Sequence, residues 1–321
     1  MTSATCITPK PVGVLPRVQV LLASYNGEPW LREQLESILS QEDVEVHVEI
    51  GDDCSRDGTR ALIKSTWGND PRVRLNEWSQ SSGSAGANFR RLYRHVDATG
   101  FDFVALADQD DVWMPRKILS AIQSLQATGA QGYSCAVQAF WPDGRERVLA
   151  QRENLRAADF LFEGAGQGCT FVMTSDLFRR IRQFCTDHTT ATEALHYHDW
   201  LIYLLVRAWQ MPWHFDAQPW MRYRQHGGNE IGSRGSLGAI RRRLAMIRNG
   251  WFGRQVVASG EIYRLAGGND PVACALIARV QNRVPSLAYR LALSVQVLRF
   301  GRRRFADRLV LAGSALLGWL L

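Results

Sequence analysis

Asp108, Asp110 and Asp111 place three carboxylates within four consecutive positions, directly after the apolar run Phe101 to Ala107. Carboxylates this close repel one another and must be hydrated, paired or neutralised. A divalent cation is the simplest neutraliser. A hard ion such as Mg2+ or Mn2+ takes oxygen ligands and shares them with substrate phosphates. Asp108 or Asp111 could instead cap the helix that follows, but a cap needs one carboxylate rather than three. The chemistry expected is metal-assisted and acts on a phosphate-bearing substrate.

Other polar clusters suggest partners for that site. Asp52-Asp53-Cys54-Ser55-Arg56-Asp57-Gly58-Thr59 offers acceptor groups to the N–H and O–H donors of a base or ribose, unless Ser55 or Asp57 simply caps a helix. Tyr25, in Ser24-Tyr25-Asn26, could stack on a base or pack at a strand rim. Ser81 to Phe89 sets small residues before a helix, where backbone N–H groups can approach a phosphate; a plain loop before an ordinary helix reads the same way. In His196-Tyr197-His198-Asp199 three readings stay open: a zinc-ligand string, Asp199 as general base, or Asp199 as cap of the apolar helix behind it. Arg224 and His226, in Tyr223-Arg224-Gln225-His226, could face phosphate or metal, although a lone loop histidine is usually solvated or packed.

These clusters need elements to hold them. Val18 to Ala23 reads as a buried strand ending at Ser24, and Trp30, Leu31, Leu35, Ile38 and Leu39 recur at helical spacing. Val44 to Ile50 alternates as a second strand, and a helix follows from Thr59. Phe101 to Ala107 is a third strand, and after Pro115 a helix runs to about Ala127. Strand-helix alternation implies a parallel sheet with right-handed crossovers, in which ligands sit at the carboxyl ends of strands. All three polar clusters lie at such ends. Residues 1–16 read as a loose leader, and 17–127 as the nucleotide-binding half. Residues 128–235, rich in Trp, His and Gly, read as a loop-built acceptor and catalytic half. Residues 236–321 read as a basic helical region broken at Gly250, Gly253, Gly267-Gly268 and Pro271.

The chain has 321 residues, is 46% hydrophobic and carries a net charge of +7, so a folded protein with an anionic partner is expected. Its six cysteines form no CxxC pair. That argues against a zinc site or a dense disulfide framework, and suits a reducing cytosol. No secretory signal is evident, and the apolar stretch Leu309 to Leu321 is too short to span a bilayer. No nucleic-acid motif accompanies the charge, so nucleic acid is not an expected partner.

Taken in order, Val20 to Asn26, Asp52 to Thr59, Ala107-Asp108-Gln109-Asp110-Asp111-Val112-Trp113, Gly168-Cys169-Thr170, His198-Asp199-Trp200 and Tyr223 to Asn229 resemble an inverting family 2 glycosyltransferase with the GT-A fold. The similarity covers roughly residues 17–232, and its details look most like bacterial rhamnosyltransferases of polysaccharide assembly. It implies an α/β architecture, a Rossmann-like mostly parallel sheet flanked by helices, with a helical C-terminal extension. It also implies roles. Ala23, Ser24, Tyr25, Asn26, Glu28, Asp52, Asp53, Gly86, Asn88, Asp108 and Gln109 would bind the nucleotide sugar. Asp108 and Asp110 match the DxD metal motif, with His226 as a further metal or diphosphate contact, and the ion would be Mg2+ or Mn2+. Asp199 matches the general base, preceded here by His198 rather than Glu.

The resemblance implies dTDP-rhamnose as first donor and UDP-sugars next, with a glycan or lipid-linked acceptor, on the cytoplasmic side of the inner membrane. The basic segments Arg241 to Trp251 and Arg302-Arg303-Arg304 read either as a peripheral membrane contact or as packed helices with a solvated basic face. Two rivals stand beside this reading. A nucleotidyltransferase would carry a basic triphosphate loop, which Ser24-Tyr25-Asn26-Gly27 lacks. A non-catalytic nucleotide-sugar-binding subunit would bind donor without transfer.

Overall fold

The computed structural model describes residues 14–150, 154–226, 245–282 and 286–320. Most of the leader, Cys6, the Gly227 to Asn229 end of one motif and Arg241 to Arg243 lie outside the described residues.

The first strand, β1 (Arg17–Ser24), is buried from Val18 to its end. An unbroken apolar run suits a strand covered on both faces. It pairs in parallel with β2 (Glu45–Asp52) on one side and β4 (Phe103–Asp108) on the other, and β3 (Val73–Glu77) joins β2 in parallel. The helices α1 (Leu31–Leu39), α2 (Thr59–Trp67) and α3 (Ala85–His95) connect them. This part is the parallel α/β unit expected from the alternation of elements.

Beyond β4 the sheet departs from that expectation. It continues through β8 (Val172–Thr174), β6 (Gly132–Phe140), β9 (Trp213–Arg224) and β5 (Val112–Trp113), and β7 (Glu146–Leu149) pairs with β6. β8 runs antiparallel to both β4 and β6, β5 antiparallel to β9, and β6 parallel to β9. Parallel neighbours require long crossovers, and short connections give antiparallel ones. The β6–β7 hairpin closes through Pro142-Asp143-Gly144, with Gly144 at φ 81°. The region expected to be loop-rich is therefore largely regular. It also carries α4 (Lys117–Thr128), α5 (Ser175–Asp187), α6 (Thr189–Ala194) and α7 (His198–Ala208). Trp213 and Trp220 lie in β9 and Gly132 in β6, and the Gly132 Cα faces the Trp213 ring so closely that a Cβ would sit 2.3 Å from it.

The chain forms two compact units, and neither is a continuous segment. The first takes described residues 14–150 with Gly166–Asp187 and Met211–Arg224. The second takes 154–165, His188–Gln210 and the described residues from Gln225 onward. The sequence reading instead divides the chain consecutively, at 127 and 235. The second unit includes α8 (Trp251–Leu265), α9 (Pro271–Asn282), α10 (Leu287–Phe300) and α11 (Phe305–Leu316). Its interior is tied by a buried ionic network. Asp159 accepts from Arg207 Nη1 at 2.7 Å and from the Tyr203 hydroxyl at 3.2 Å, and Arg303 lies 3.9 Å away. Burial raises the Asp159 carboxyl, and Arg207 and Arg303 oppose that rise. All five described cysteines are free thiols.

Candidate active site

Register brings the polar clusters of the first unit together. Ser24 at the end of β1 lies beside Asp52 of β2, and Ala23 beside Asp108 of β4. Gln109 then locks two of these ends. Its Oε1 accepts from Ser24 Oγ at 3.0 Å and from the Tyr25 N–H at 2.8 Å, and its Nε2 donates to the Tyr25 carbonyl at 2.9 Å. Gly27 is required beside this clamp, because a Cβ there would fall 2.3 Å from Gln109 Oε1. The clamp holds the Tyr25 main chain while the side chain stays 47% exposed.

The second cluster is organised chiefly by its own loops. Asp52 is fully buried and accepts from Ser55 N–H at 3.1 Å, from Ser55 Oγ and from Arg60 Nε. Asn26, at φ 49°, donates its N–H to Ser55 Oγ at 2.9 Å and accepts from Arg56 N–H at 2.8 Å. Exposed Glu28 accepts from Gly58 N–H at 2.8 Å. Asp53, also buried, accepts from Ser81 Oγ at 2.9 Å, Ser82 N–H at 2.7 Å and Gly83 N–H at 3.3 Å. The amide donors expected to meet a phosphate thus turn onto Asp53. Gly86 is buried. Asn88 donates to the Gly51 carbonyl at 2.7 Å and accepts from the Trp78 indole at 2.9 Å. Asn88 thus ties α3 to the end of β2.

The acidic turn is built from three directions. Gln34 and Ser37 fall at i and i+3 on one side of α1, and Gln41 follows just beyond its C-terminal end. Gln34 Nε2 donates to the Asp108 carbonyl at 2.8 Å, and Ser37 Oγ accepts from Trp113 N–H at 3.0 Å. Gln41 donates to the Met114 carbonyl at 2.8 Å and accepts from Ile118 N–H at 3.0 Å. From β9, Arg224 donates through Nε to the Asp110 carbonyl at 2.8 Å, through its N–H to Asp111 Oδ1 at 3.3 Å, and through Nη2 to Glu33. From the short helical turn Gly168–Thr170 comes Cys169, fully buried against Asp111.

Among the described residues, the ligand atoms of Asp108, Asp111 and Cys169 lie within 4.8 Å of one another, a spacing one cation can satisfy. The structure therefore groups Asp108 with Asp111, where sequence spacing pointed to Asp108 with Asp110. Asp110 has its main chain pinned by Arg224, and His226 is not part of the group. Asp111 is completely buried. Its carboxyl is pushed well above the usual range, first by burial and then by the charges of Asp110 and Asp108. The Cys169 thiol and the Arg224 N–H oppose that rise weakly, and Asp111 Oδ2 makes no hydrogen bond of normal geometry among the described residues. A divalent ion would relieve both conditions. A hard ion would take the two carboxylates and leave the soft thiol, itself pushed up by burial and by Asp111. The acidic turn thus fits Mg2+ or Mn2+.

Beneath the turn lies a residue the sequence reading did not single out. Lys117 is fully buried, its ammonium 3.7 Å from the Trp113 ring centre, and burial brings it down to about 8. At the start of α4 it reads as a surface lysine, and nothing in the sequence reveals its burial.

In the second unit, Asp199 occupies the first turn of α7 and is half-buried. It is not the helix cap, a position held by Tyr197. Asp199 Oδ1 accepts from the Trp200 N–H at 2.8 Å. The Trp200 indole donates to the Phe160 carbonyl at 2.7 Å, and its ring stacks on Phe252 at 5.9 Å. Gly164 packs on the same peptide: a Cβ there would lie 3.1 Å from Trp200 N and 3.2 Å from the Asp199 carbonyl carbon. His196, Tyr197 and Trp251 meet edge to face, at 4.7 to 5.9 Å. No zinc-scale cluster of described residues includes His196 or His198.

Residues 19–193 match the glycosyl transferase family 2 domain. The chain is 35% identical, over 73% of its length and 82% of the relative's, to the dTDP-rhamnosyl transferase RfbG of Shigella flexneri. It is 30% identical to the succinoglycan biosynthesis protein ExoO of Rhizobium meliloti, over 56% of this chain and 48% of that one. The structure of S. aureus TarS 1-349 in complex with UDP-GlcNAc aligns over 95% of this chain and 89% of that one, with a TM-score of 0.56 at 14% identity. The mannosyltransferase PcManGT from Pyrobaculum calidifontis, in complex with GDP-Man and Mn2+, aligns over 98% and 92% with a TM-score of 0.50 at 16% identity. The chain belongs to glycosyl transferase family 2, and its fold is that of GT-A glycosyltransferases.

Proposed function

We propose that this family 2 glycosyltransferase moves L-rhamnose from dTDP-rhamnose, with inversion, to a hydroxyl of a glycan or lipid-linked acceptor in cell-surface polysaccharide synthesis. The observation that carries the reading is the side-by-side placement of the β1, β2 and β4 ends, with Asp108 and Asp111 grouped at the last of them. Likeness to a dTDP-rhamnosyl transferase supports the donor. A UDP-sugar is the second reading, favoured by the nucleotide sugar bound in TarS.

In this reading Tyr25 stacks on the base, presented by the Gln109 clamp. Ala23, Ser24, Asn26 and Glu28 line the same strand end, and Asp52 and Asp53 hold its loops in place for the nucleoside. Asp108 and Asp111 would hold Mg2+ or Mn2+, with Asp110 and His226 as subsidiary contacts. When bound, the ion supplies Lewis-acid stabilisation of charge on the departing diphosphate. Arg224 and Gln34 keep the acidic turn fixed as that charge builds. Asp199 takes the acceptor hydroxyl proton as the oxygen attacks the anomeric carbon from the face opposite the leaving group. The carbon passes through an oxocarbenium-like state and its configuration inverts. The enzyme works at the cytoplasmic face of the inner membrane, with peripheral contact through its C-terminal region.

A thermal-shift panel of nucleotide sugars with and without Mn2+ tests the donor. Stabilisation by dTDP-rhamnose that requires Mn2+ is the expected result, and an equal response without metal removes the cation role. Nuclear magnetic resonance of the product tests inversion. Donor binding with no transfer to any glycan acceptor would instead identify a binding subunit.

A further inference from the structure

We propose that the outer face of the α10–α11 hairpin docks on an anionic lipid surface, an inference that rests on the lipid-side reading of the acceptor given above. The two helices are apolar on two sides. Leu293 and Val297 of α10, and Leu311 and Ala315 of α11, are buried. On the other side of α10, Leu287, Leu291 and Val295 are 67%, 48% and 62% exposed, at the i, i+4, i+8 spacing of a single helix face. On α11, Phe305, Leu309 and Val310 are 58%, 49% and 47% exposed, and the same face continues through Gly313 to Leu316. A helix that is apolar all round is covered by protein or by lipid, and a contiguous exposed apolar face of this kind marks an interaction surface.

Charge selects lipid. Asp307 is the only acidic residue between Ser286 and Leu320, and it is half-buried, 3.9 Å from Arg302. Arg299 and Arg304 are exposed at the turn joining the helices. If this face paired with a second copy, no free acid of either hairpin would answer those arginines, whereas an anionic headgroup layer does. The surface differs from the one a basic run suggests. Arg303 and Arg308 are buried, and Arg303 is spent on Asp159, Glu163 and the Gly164 carbonyl. Binding therefore rests on the apolar ridge, with Arg299 and Arg304 contributing at its end. No described helix is long and apolar enough to cross a membrane, so the contact is peripheral.

Vesicle sedimentation of the full chain tests this, with phosphatidylcholine vesicles alone or mixed with phosphatidylglycerol, and with no donor or acceptor present. The bound fraction should rise several-fold with phosphatidylglycerol and fall at least tenfold in Leu309→Asp combined with Val310→Asp. Val295→Asp, on the other helix, is an independent variant, and Arg299→Glu with Arg304→Glu should remove the preference for the anionic lipid. Unchanged melting and unchanged Mn2+-dependent nucleotide binding would show that each variant is folded. Equal pelleting with both vesicle types, or folded variants that bind like the native chain, would overturn the proposal. So would a native dimer by light scattering that the aspartate variants convert to monomer, since the face would then join two copies. Because no sugar transfer is measured, loss of donor specificity would strike the proposed function and leave this result standing.

Discussion

Arg224 and Asp110, 114 positions apart in sequence, are joined by a guanidinium-to-carbonyl hydrogen bond of 2.8 Å. The same arginine gives its N–H to Asp111 and its Nη2 to Glu33. One side chain of β9 thus fixes the main chain of a turn whose carboxylates repel one another.

Arg224→Met should loosen that turn. Hydrogen bonds to charged groups contribute about 1.5–3 kcal/mol each, so stability should fall by about that amount. Mn2+ titration should show weaker binding, and Arg224→Lys should not restore it, because a lysine lacks the planar fork that serves several acceptors. Native Mn2+ affinity in both variants would show that the turn holds its shape alone.

The three acidic residues should separate by substitution. Asp108→Asn and Asp111→Asn are expected to abolish the Mn2+-dependent part of nucleotide binding, and Asp110→Asn to retain most of it. The reverse order in a thermal-shift titration would restore the spacing-based assignment to Asp110.

Asp199→Asn should reduce transfer by roughly 10²–10⁴-fold, the range of general-base catalysis, and leave donor affinity unchanged. Calorimetry with the nucleotide sugar, set beside a turnover assay, checks both halves. Native turnover by this variant would remove Asp199 from the mechanism.

Lys117 makes a prediction about pH. Burial brings its ammonium down to about 8, against about 10.4 in an unfolded chain. Between those values the unfolded chain binds more protons, so this group's contribution to stability rises with pH through that window. Below about pH 8 its cost is fully present, about 3 kcal/mol at 1.36 kcal/mol per pKa unit. Lys117→Met should gain most over the native chain near pH 7 and little near pH 10, as read from denaturant unfolding at both. A difference that stays flat with pH would mean the lysine is solvated.

Gly164→Ala would place a methyl 3.1 Å from Trp200 N, against main chain that has little room to yield. Overpacking of this sort costs about 1–3 kcal/mol. Because the pressed peptide carries Asp199, kcat should fall while KM for the donor holds. Arg303→Met, which frees the Gly164 carbonyl, should do the same more mildly. A fall in melting temperature with kcat intact would confine Gly164 to packing.

The sequence made three of the four parallel strands legible: β1 and β4 are apolar runs cut off by polar residues, as burial on both faces requires, and β2 alternates before its buried end. The strand β3, five residues with only Asn76 buried, left no such trace. It did not make β6 and β9 legible. Their pairing is long-range and shifts register around Cys135, Ala136 and Gln138, and their tryptophans and glycines read as loop. The acidic cluster was visible as a string of carboxylates, but which of them the fold brings close was not. Spacing favours Asp110, whereas a turn pinned through the Asp110 carbonyl brings Asp111 to Asp108. Gln34 and Ser37 carried a signal in their helical spacing, yet polar residues at that period look like a solvated face. Asp52 and Asp53 were visible as acceptors. Only the folded loops show that Ser55, Arg60, Ser81 and Ser82 already supply their donors.

The position of β9 in the chain has a consequence for synthesis. A ribosome makes the acidic turn early, then α5 through α7, and only afterwards the strand whose Arg224 closes the turn. Chains emerging N-terminus first can pair β1 to β4 while β9 is still unmade. During that interval the mutually repelling carboxylates lack their clamp. Truncation upstream of residue 224 would leave a nascent sheet with an unfinished cation grip, so capacity to bind the ion arrives late in translation.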